Sequence, residues 1–150
     1  MAVGTGTLTV SISESVTLGG KRYGNSVTET VASINDVYER IITCPTSEIT
    51  LYTTHASAVA GAQFDEDLVQ YVRITNHDAG NFIQLLLTDA NSDEFSYRLD
   101  AGKSFIIWNH KTSMSAEEAA GAGAPDADIV SVKATADSGA CDLEIMVAST

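Results

Sequence analysis

The chain has few positive charges. Only 8 Lys and Arg residues stand against 20 Asp and Glu residues, which gives a net charge of −12 over 150 residues. The cations include one adjacent pair, Lys21-Arg22, and are otherwise scattered. Binding to nucleic acid or to an anionic membrane needs clustered cations that displace counterions. We therefore expect no nucleic-acid partner and no membrane partner.

Long apolar runs and cysteine motifs are also missing. No segment approaches the roughly 20 apolar residues of a membrane span. The stretch MAVGTGTLTV lacks the basic and apolar regions of a signal peptide, so we expect none. Cys44 and Cys141 form no CxxC motif, and each lies beside or within a strand-like run. We expect two free, buried thiols, and their spacing alone leaves a disulfide between them open.

What the sequence does contain is apolar alternation with a period of two. In TLTVSISESVTL the apolar residues recur at every second position, interrupted only by Glu14. This pattern predicts a long half-buried strand that ends at the turn Gly19-Gly20. Further strands are predicted between turn residues at Ser26–Ile34, Val37–Thr43, Ile49–Thr53, Leu68–Thr75, Phe82–Thr88, Phe95–Leu99, Ser104–Trp108, Ile129–Thr135 and Cys141–Val147.

About nine strands at this spacing predict an all-β chain that forms a single antiparallel β-sandwich. The length suits one domain over residues 1–150. Helical periodicity is nearly absent, although Ser115 and Glu118 have the spacing of a helix capping box. They lie in the Ala/Gly-rich segment 111–128, which we interpret as a long loop or short helical excursion outside the sheets.

The motifs of common catalytic sites are absent from the sequence. Residues 102–104 (Gly-Lys-Ser) lack the earlier glycine and the helical context of a phosphate-binding loop. His55, His77 and His110 do not have the spacing of a local zinc site, and no serine lies in a GxSxG motif. We therefore predict that the protein is not an enzyme, with no catalytic residue, no metal and no cofactor.

The strongest candidate for a cation site lies between two predicted strands. Asp89, Asn91 and Asp93 alternate as in the first half of a calcium-binding loop, and Asp100 falls at its twelfth position. Glu94, however, replaces the glycine that such a loop needs for its sharp turn. Asp, Asn and Ser are also the residues that hairpin turns favour. We predict a turn here, and cation binding at Asp89–Asp93 is the alternative.

A second polar loop lies in RITNHDAGNFIQLLL, between two apolar runs. Asn76 and Asn81 suit Asx turns, in which the side chain accepts a nearby backbone N–H, and Gly80 suits a positive φ. These roles explain the loop without a ligand and leave His77 and Asp78 as surface polar groups. We predict a hairpin that joins two core strands.

The sequence also resembles a known class of proteins. An N-terminal strand alternating with Thr and Ser, VRITNHDAGNFIQLLL and FSYRLDAGKSFIIW together resemble small virion proteins of tailed bacteriophages, particularly marine and cyanobacterial phages. The resemblance covers residues 68–108 and involves turns and core positions, so it assigns no binding residue. It implies a β-sandwich or jelly-roll fold in a capsid decoration (cement) protein, or in a head–tail or tail component.

Such proteins often form trimers that clamp neighbouring major capsid subunits. The resemblance therefore implies that the partners are the major capsid protein and further copies of this chain, as a homotrimer, in a virion assembled in the host cytoplasm. The N-terminal strand and segment 111–128 are the expected contact elements. The alternative is a carbohydrate- or receptor-binding module, although Tyr71, Tyr97 and Trp108 have apolar neighbours that favour a core or interface role.

Overall fold

The structure is a computed structural model that describes residues 4–55, 63–108, 113–114 and 127–150. These residues form strands and connecting turns without any helix, which confirms the predicted all-β fold. In chain order the strands are β1 (Gly6–Ser13), β2 (Val16–Leu18), β3 (Lys21–Tyr23), β4 (Ser26–Ile34), β5 (Asp36–Cys44), β6 (Ile49–His55), β7 (Gln63–Asp65), β8 (Val69–Asn76), β9 (Ile83–Asp89), β10 (Glu94–Leu99), β11 (Ser104–Ile107), β12 (Ser113–Met114), β13 (Ala127–Ala136) and β14 (Cys141–Ser149).

Ten of these strands form two sheets that pack as a sandwich, which we call the body. The first sheet has the order β10-β9-β13-β6-β7, with β12 paired to β13, and the second has the order β11-β8-β14-β5. The described pairs are antiparallel, apart from the parallel pair of β6 and β7. The predicted antiparallel β-sandwich is confirmed.

One hydrophobic core fills the space between the two sheets. Successive side chains of a strand point to opposite faces, so an alternating strand buries every second residue. Strand β14 of the second sheet buries Leu143, Ile145 and Val147, and β9 of the first sheet buries Ile83 and Leu85 opposite them. Each such side chain contributes roughly 1.5–3 kcal/mol of burial free energy. Alternation in these strands is thus what holds the sheets together.

The predicted hairpin around residues 76–81 is wrong. Strand β8 belongs to the second sheet, where it pairs with β11 and β14, whereas β9 belongs to the first sheet and pairs with β10 and β13. The segment between them therefore crosses from one sheet to the other. The prediction failed because period-two alternation places a strand's apolar face against the core and is the same in either sheet.

The predicted N-terminal strand is part of a long β-hairpin, residues 6–34, which we call the arm. Strands β1 and β4 pair with each other, and β2 and β3 continue the same hairpin to the turn at Gly19-Gly20. The described residues contain fourteen strands where about nine were expected. Strands β3, β7 and β12 were not predicted because they have two or three residues each and are too short for alternation to reveal, and β2 is the end of the single strand predicted up to Gly19-Gly20.

Most of the predicted excursion at 111–128 lies outside the described residues, including Ser115 and Glu118. Within it, Ser113–Met114 forms β12 and pairs with Ala127 and Asp128 at the start of β13.

Candidate functional site

The arm is a hairpin with one continuous register from Thr7 to its turn. The pairing has one register shift, between Gly6 and Thr7. From Thr7 to Leu18, each step forward along the first half of the hairpin is matched by one step back along the second half, up to a two-residue turn. Gly19 and Gly20 occupy that turn with φ of 59° and 77°. Positive φ at both positions is the requirement of a type I′ turn, whose twist matches that of the flanking strands. The glycine pair therefore directs the chain into a long ribbon.

The two faces of the arm differ in chemistry. Paired residues of a hairpin share a face, so the register assigns every side chain to one side. One side, which we call the hydroxyl face, is rich in Ser and Thr, and the Ser11 and Thr28 hydroxyls lie 3.0 Å apart there. The other side, the apolar face, carries Leu8, Val10, Ile12, Val16, Leu18, Tyr23, Val27 and Val31, with the charged residues Lys21 and Glu29 opposite Leu18 and Val10.

The base of the arm packs on the outer surface of the second sheet. Val10 and Ile34 are buried against Tyr71 of β8 and Ala148 of β14. Leu8, Val31, Trp108 and Met146 surround this second, smaller cluster. Burial of Tyr71 and partial burial of Trp108 match the core or interface role predicted for them. The base thus anchors the arm to the body.

Beyond Val10 the apolar face has no cover within the described residues. Leu18 is 71% exposed and Val16 is 60% exposed, and Ile12, Tyr23 and Val27 are exposed as well. We call this part, from the Ile12↔Val27 pair to the turn, the distal half of the arm. Isolated two-stranded ribbons are marginally stable in water without a layer packed on their apolar side. An apolar face of this kind marks an interaction surface.

A second exposed apolar surface lies on β5, the edge strand of the second sheet. Val37 and Ile41 are 53% and 65% exposed on its outer face, and Glu39 lies between them. Asp36 is exposed at the start of the strand. We call these four residues the β5 face. Val37 also lines a cavity of about 330 Å³ together with Leu8 and other residues of the arm base.

Charge is unevenly divided between arm and body. The arm holds two acidic residues, Glu14 and Glu29, and two basic residues, Lys21 and Arg22, so its net charge is zero. The rest of the chain keeps 18 of the 20 acidic and 6 of the 8 basic residues, and therefore carries the whole charge of −12. Both arm cations lie at the tip, where Arg22 Nε donates to Ser15 Oγ at 3.1 Å and Lys21 lies 5.3 Å from the Tyr23 ring centre.

The loop at residues 76–81 uses its polar groups internally. The buried Asn76 amide donates to the carbonyl oxygens of Asn81 and Leu99, at 2.9 and 3.2 Å, and accepts from Asp78 N at 3.0 Å. Asp78 Oδ1 accepts from Gly80 N and Asn81 N. These backbone donors, Asn81 first, hold the pKa of Asp78 below its ordinary value.

This geometry confirms the Asx turn predicted at Asn76 but changes other roles in the loop. Asp78, not Asn81, provides the second Asx turn, and Asn81 Oδ1 accepts from Ser138. Gly80 does not have the predicted positive φ. The loop serves to cross between sheets, and its amides and carboxylate are occupied in doing so.

The Asp89–Asp93 segment is the predicted turn between β9 and β10. Asp89 Oδ1 accepts from Asn91 N at 2.9 Å and from Asp93 N at 2.8 Å. Asp89 is only 2% exposed, and its Oδ2 is buried without a partner. Asp100 lies beyond the whole of β10, about 20 Å away at the usual strand rise, and pairs with Arg98. Asp100 therefore cannot complete a cation site with Asp89.

An ion-pair group on the outer face of the second sheet is visible only in three dimensions. Glu144 of β14 accepts from Arg73 of β8 and lies 2.8 Å from His77 Nε2. The hydrogen bonds from His77 and from Arg73 lower the pKa of Glu144. Glu39 of β5 lies 3.8 Å from Arg73 as well. The group links three neighbouring strands.

The two cysteines are free and buried, as predicted. Cys44 of β5 and Cys141 of β14 are direct partners across the strand pair. Burial is the main cause that raises the pKa of each thiol, and for Cys44 the neighbouring Cys141 adds to it. Burial and a raised pKa both disfavour the reactive thiolate form.

Among the described residues, no group of three or more His, Cys, Asp or Glu side chains could hold a metal ion. His110 lies outside the described residues, whereas His55 ends β6. In the same ranges no helix is long and apolar enough to cross a membrane.

The exposure of the distal half of the arm was not predicted from the sequence. Alternation from Leu8 to Leu18 was interpreted as a strand half-buried in its own domain. The available signal was Gly19-Gly20, because matched alternation on both sides of a Gly-Gly pair predicts a hairpin of two strands.

Comparison with known proteins adds no relative: no protein-family model matches the chain, and no curated protein matches it significantly.

Proposed function

We propose that the protein is a non-enzymatic virion structural protein. Its role in this proposal is that of a capsid decoration (cement) protein, which stabilises the head of a tailed phage by binding between major capsid subunits. Its partners are the major capsid protein and further copies of itself, in a homotrimer. The observation that carries the proposal is the uncovered apolar face in the distal half of the arm.

Three features support a role in assembly. Among the described residues, no second layer covers the apolar side chains of the distal half of the arm, which is how a surface that is completed by another chain is built. In the polar loops at residues 76–81 and 89–93, Asn76 and Asp89 accept hydrogen bonds from nearby backbone N–H groups and so form turns. The resemblance to phage virion proteins over residues 68–108 is the reason for proposing a phage head as the assembly.

The proposal is tested by adding the purified protein to expanded phage heads that lack it. We expect the protein to sediment with the heads and to raise the temperature at which they break down. The matched variants are Leu18→Asp on the apolar face and Thr17→Asp on the hydroxyl face, both near the arm tip. Leu18→Asp should weaken binding at least tenfold, since it places a charge on a surface that becomes buried, whereas Thr17→Asp should bind as the parent does. Heads whose stability is unchanged by the protein would refute the cement role.

A second candidate function is carbohydrate or receptor binding, as in a tail component. The observation that favours it is an exposed aromatic group at one edge of the sandwich. Phe95 and Tyr97 of β10 are exposed, and the Tyr97 ring lies 4.8 Å from that of Phe105 on β11. Of the core or interface role predicted for Tyr97, its exposure disfavours the core alternative. Glycan-array binding that is lost in Tyr97→Ala and kept in Leu18→Asp would favour this function over assembly through the arm.

A further inference from the structure

We propose that the distal half of the arm docks on the β5 face of a second copy of this chain. The inference rests on the self-association included in the proposed function and names the two surfaces that produce it. It defines a heterologous contact, in which the arm of one subunit meets a different surface on the next. Such contacts form a closed ring, of which a trimer is one, when the rotation between neighbouring subunits closes, and an open filament when it does not.

The distal half of the arm needs a covering layer. Its apolar face is the direct continuation of the face that is buried at the base by Tyr71 and Ala148. The same side chains therefore go from buried to exposed where the body ends. A two-stranded ribbon with an uncovered apolar side is marginal in water, so a layer equivalent to the second sheet completes it.

The β5 face of the same chain is out of reach of the arm tip. The β5 face lies at the arm base, beside Leu8 and Ile34. From Leu8 to Leu18 the arm extends about 33 Å at the usual rise of a strand. A hairpin with continuous pairing cannot fold back over that length, so the tip can contact a β5 face only on another molecule.

The charges of the arm tip and the body are complementary. The arm is neutral overall with Lys21 and Arg22 at its tip, whereas the remainder of the chain carries −12. Two bodies therefore repel each other, while an arm tip is attracted to the body of another copy. On the β5 face Glu39 lies between Val37 and Ile41, with Asp36 at the start of the strand, which suits an arm tip that carries Lys21 beside Leu18 on its apolar face and Arg22 on the opposite face.

The β5 face offers exposed apolar surface at the edge of the second sheet. Val37 and Ile41 are among the most exposed apolar residues of the body, and the cavity beside Val37 has room for a side chain such as Leu18. Among the described residues β5 pairs on one side only, with β14. As the edge strand of its sheet, β5 therefore leaves its outer face open to the apolar face of an incoming arm.

The experiment measures self-association of the full chain by sedimentation velocity over a range of concentrations, without phage heads. The wild-type protein should form a defined oligomer. Lys21→Glu/Arg22→Glu should weaken association at least tenfold, and Asp36→Lys/Glu39→Lys should do the same, because each places like charges together. The control is Asp93→Lys/Glu94→Lys, which makes the same change of charge at the β9–β10 turn and should associate as the wild type does.

The decisive variant combines both changes in one chain. With Lys21→Glu, Arg22→Glu, Asp36→Lys and Glu39→Lys together, every arm tip is acidic and every β5 face is basic. We expect association to return to within a few fold of wild type, because the opposite charges meet again. Rescue also establishes that the parent variants were folded. Arms that packed on one another, instead of on β5, would show no rescue.

Failure of this inference differs from failure of the proposed function. A protein that stays monomeric yet binds and stabilises heads would overturn the inference, since a capsid protein would then cover the arm. A defined oligomer without the charge rescue would overturn it as well. An oligomer with the rescue that leaves heads unaffected supports the inference and rejects the cement role.

Discussion

The body and the arm are both built from strands with alternating apolar residues, but these residues are buried in the body and exposed in the distal half of the arm. In β14 the residues Leu143, Ile145 and Val147 point inward and are fully covered by the first sheet. In the arm the alternation is as regular from Leu8 to Leu18, but cover ends beyond Val10. Alternation therefore specifies a strand with two different faces. Alternation does not specify whether a second layer of the same chain covers the apolar face, because that depends on which other strands of the fold pack against it.

The largest expected difference in stability is between truncating an apolar side chain in the body and truncating one in the distal half of the arm. Ile145→Ala should lower the free energy of unfolding by roughly 2–5 kcal/mol, because it leaves a cavity in the core. Leu18→Ala should change it by less than about 0.5 kcal/mol. Urea denaturation at low protein concentration measures both without a contribution from association. Equal losses would mean that the arm is covered within its own chain, and the comparison would fail.

A smaller effect is expected at two asparagines. Asn76→Ala in the body removes a buried amide and leaves the Asn81 and Leu99 carbonyl oxygens without their donor. The expected loss is roughly 1–3 kcal/mol. Asn25→Ala in the arm changes an exposed side chain and should be neutral. The same denaturation assay compares them, and a neutral Asn76→Ala would show that the crossing loop is dispensable for stability.

Gly24 tests whether the arm can open while the body stays folded. Its φ is 125°, and a Cβ there would lie 2.1 Å from the Glu14 carbonyl oxygen. Gly24→Ala should therefore increase hydrogen exchange in the distal half of the arm and leave the melting temperature of the body nearly unchanged. The control is Gly80→Ala, where a Cβ meets open space. A large drop in melting temperature for Gly24→Ala would mean that arm and body fold as one unit.

The smallest effect concerns pH and belongs to the body. Because the pKa of Glu144 is lowered on folding by His77 and Arg73, the unfolded chain binds the proton first as pH falls. The stabilisation is complete above the unfolded pKa, near 4.5, and is lost as pH drops through the lower folded value. Glu144→Gln should flatten this part of the stability–pH curve relative to the exposed control Asp93→Asn. A curve unchanged by Glu144→Gln would remove this group from the pH dependence.

Local features of the fold were predictable to different degrees. The strand at Ser26–Ile34 was predicted with its observed bounds, and the Asx turns at Asn76 and Asp89 follow from side chains that bond to their own neighbours. The sheet membership of β8 and β9 was not predictable, because alternation is identical in both sheets. The contact of Glu144 with Arg73 was likewise invisible, since 71 residues separate the two and only the β8–β14 pairing joins them.

By itself the sequence determined the class of structure. Period-two alternation specified strands, glycine and Asx residues specified turns, and the scarcity of cations argued against nucleic acid and membranes, since each of these depends on residues close together in the chain. Only the tertiary structure decided which strands share a sheet, which acidic side chains meet a base, and where the apolar face of the arm loses its cover. Those outcomes depend on pairing between strands that are far apart in the sequence, and strands with the same alternation could pair in more than one order. The distal half of the arm is the result: a strand pattern satisfied by the fold at Val10 and left uncovered at Leu18.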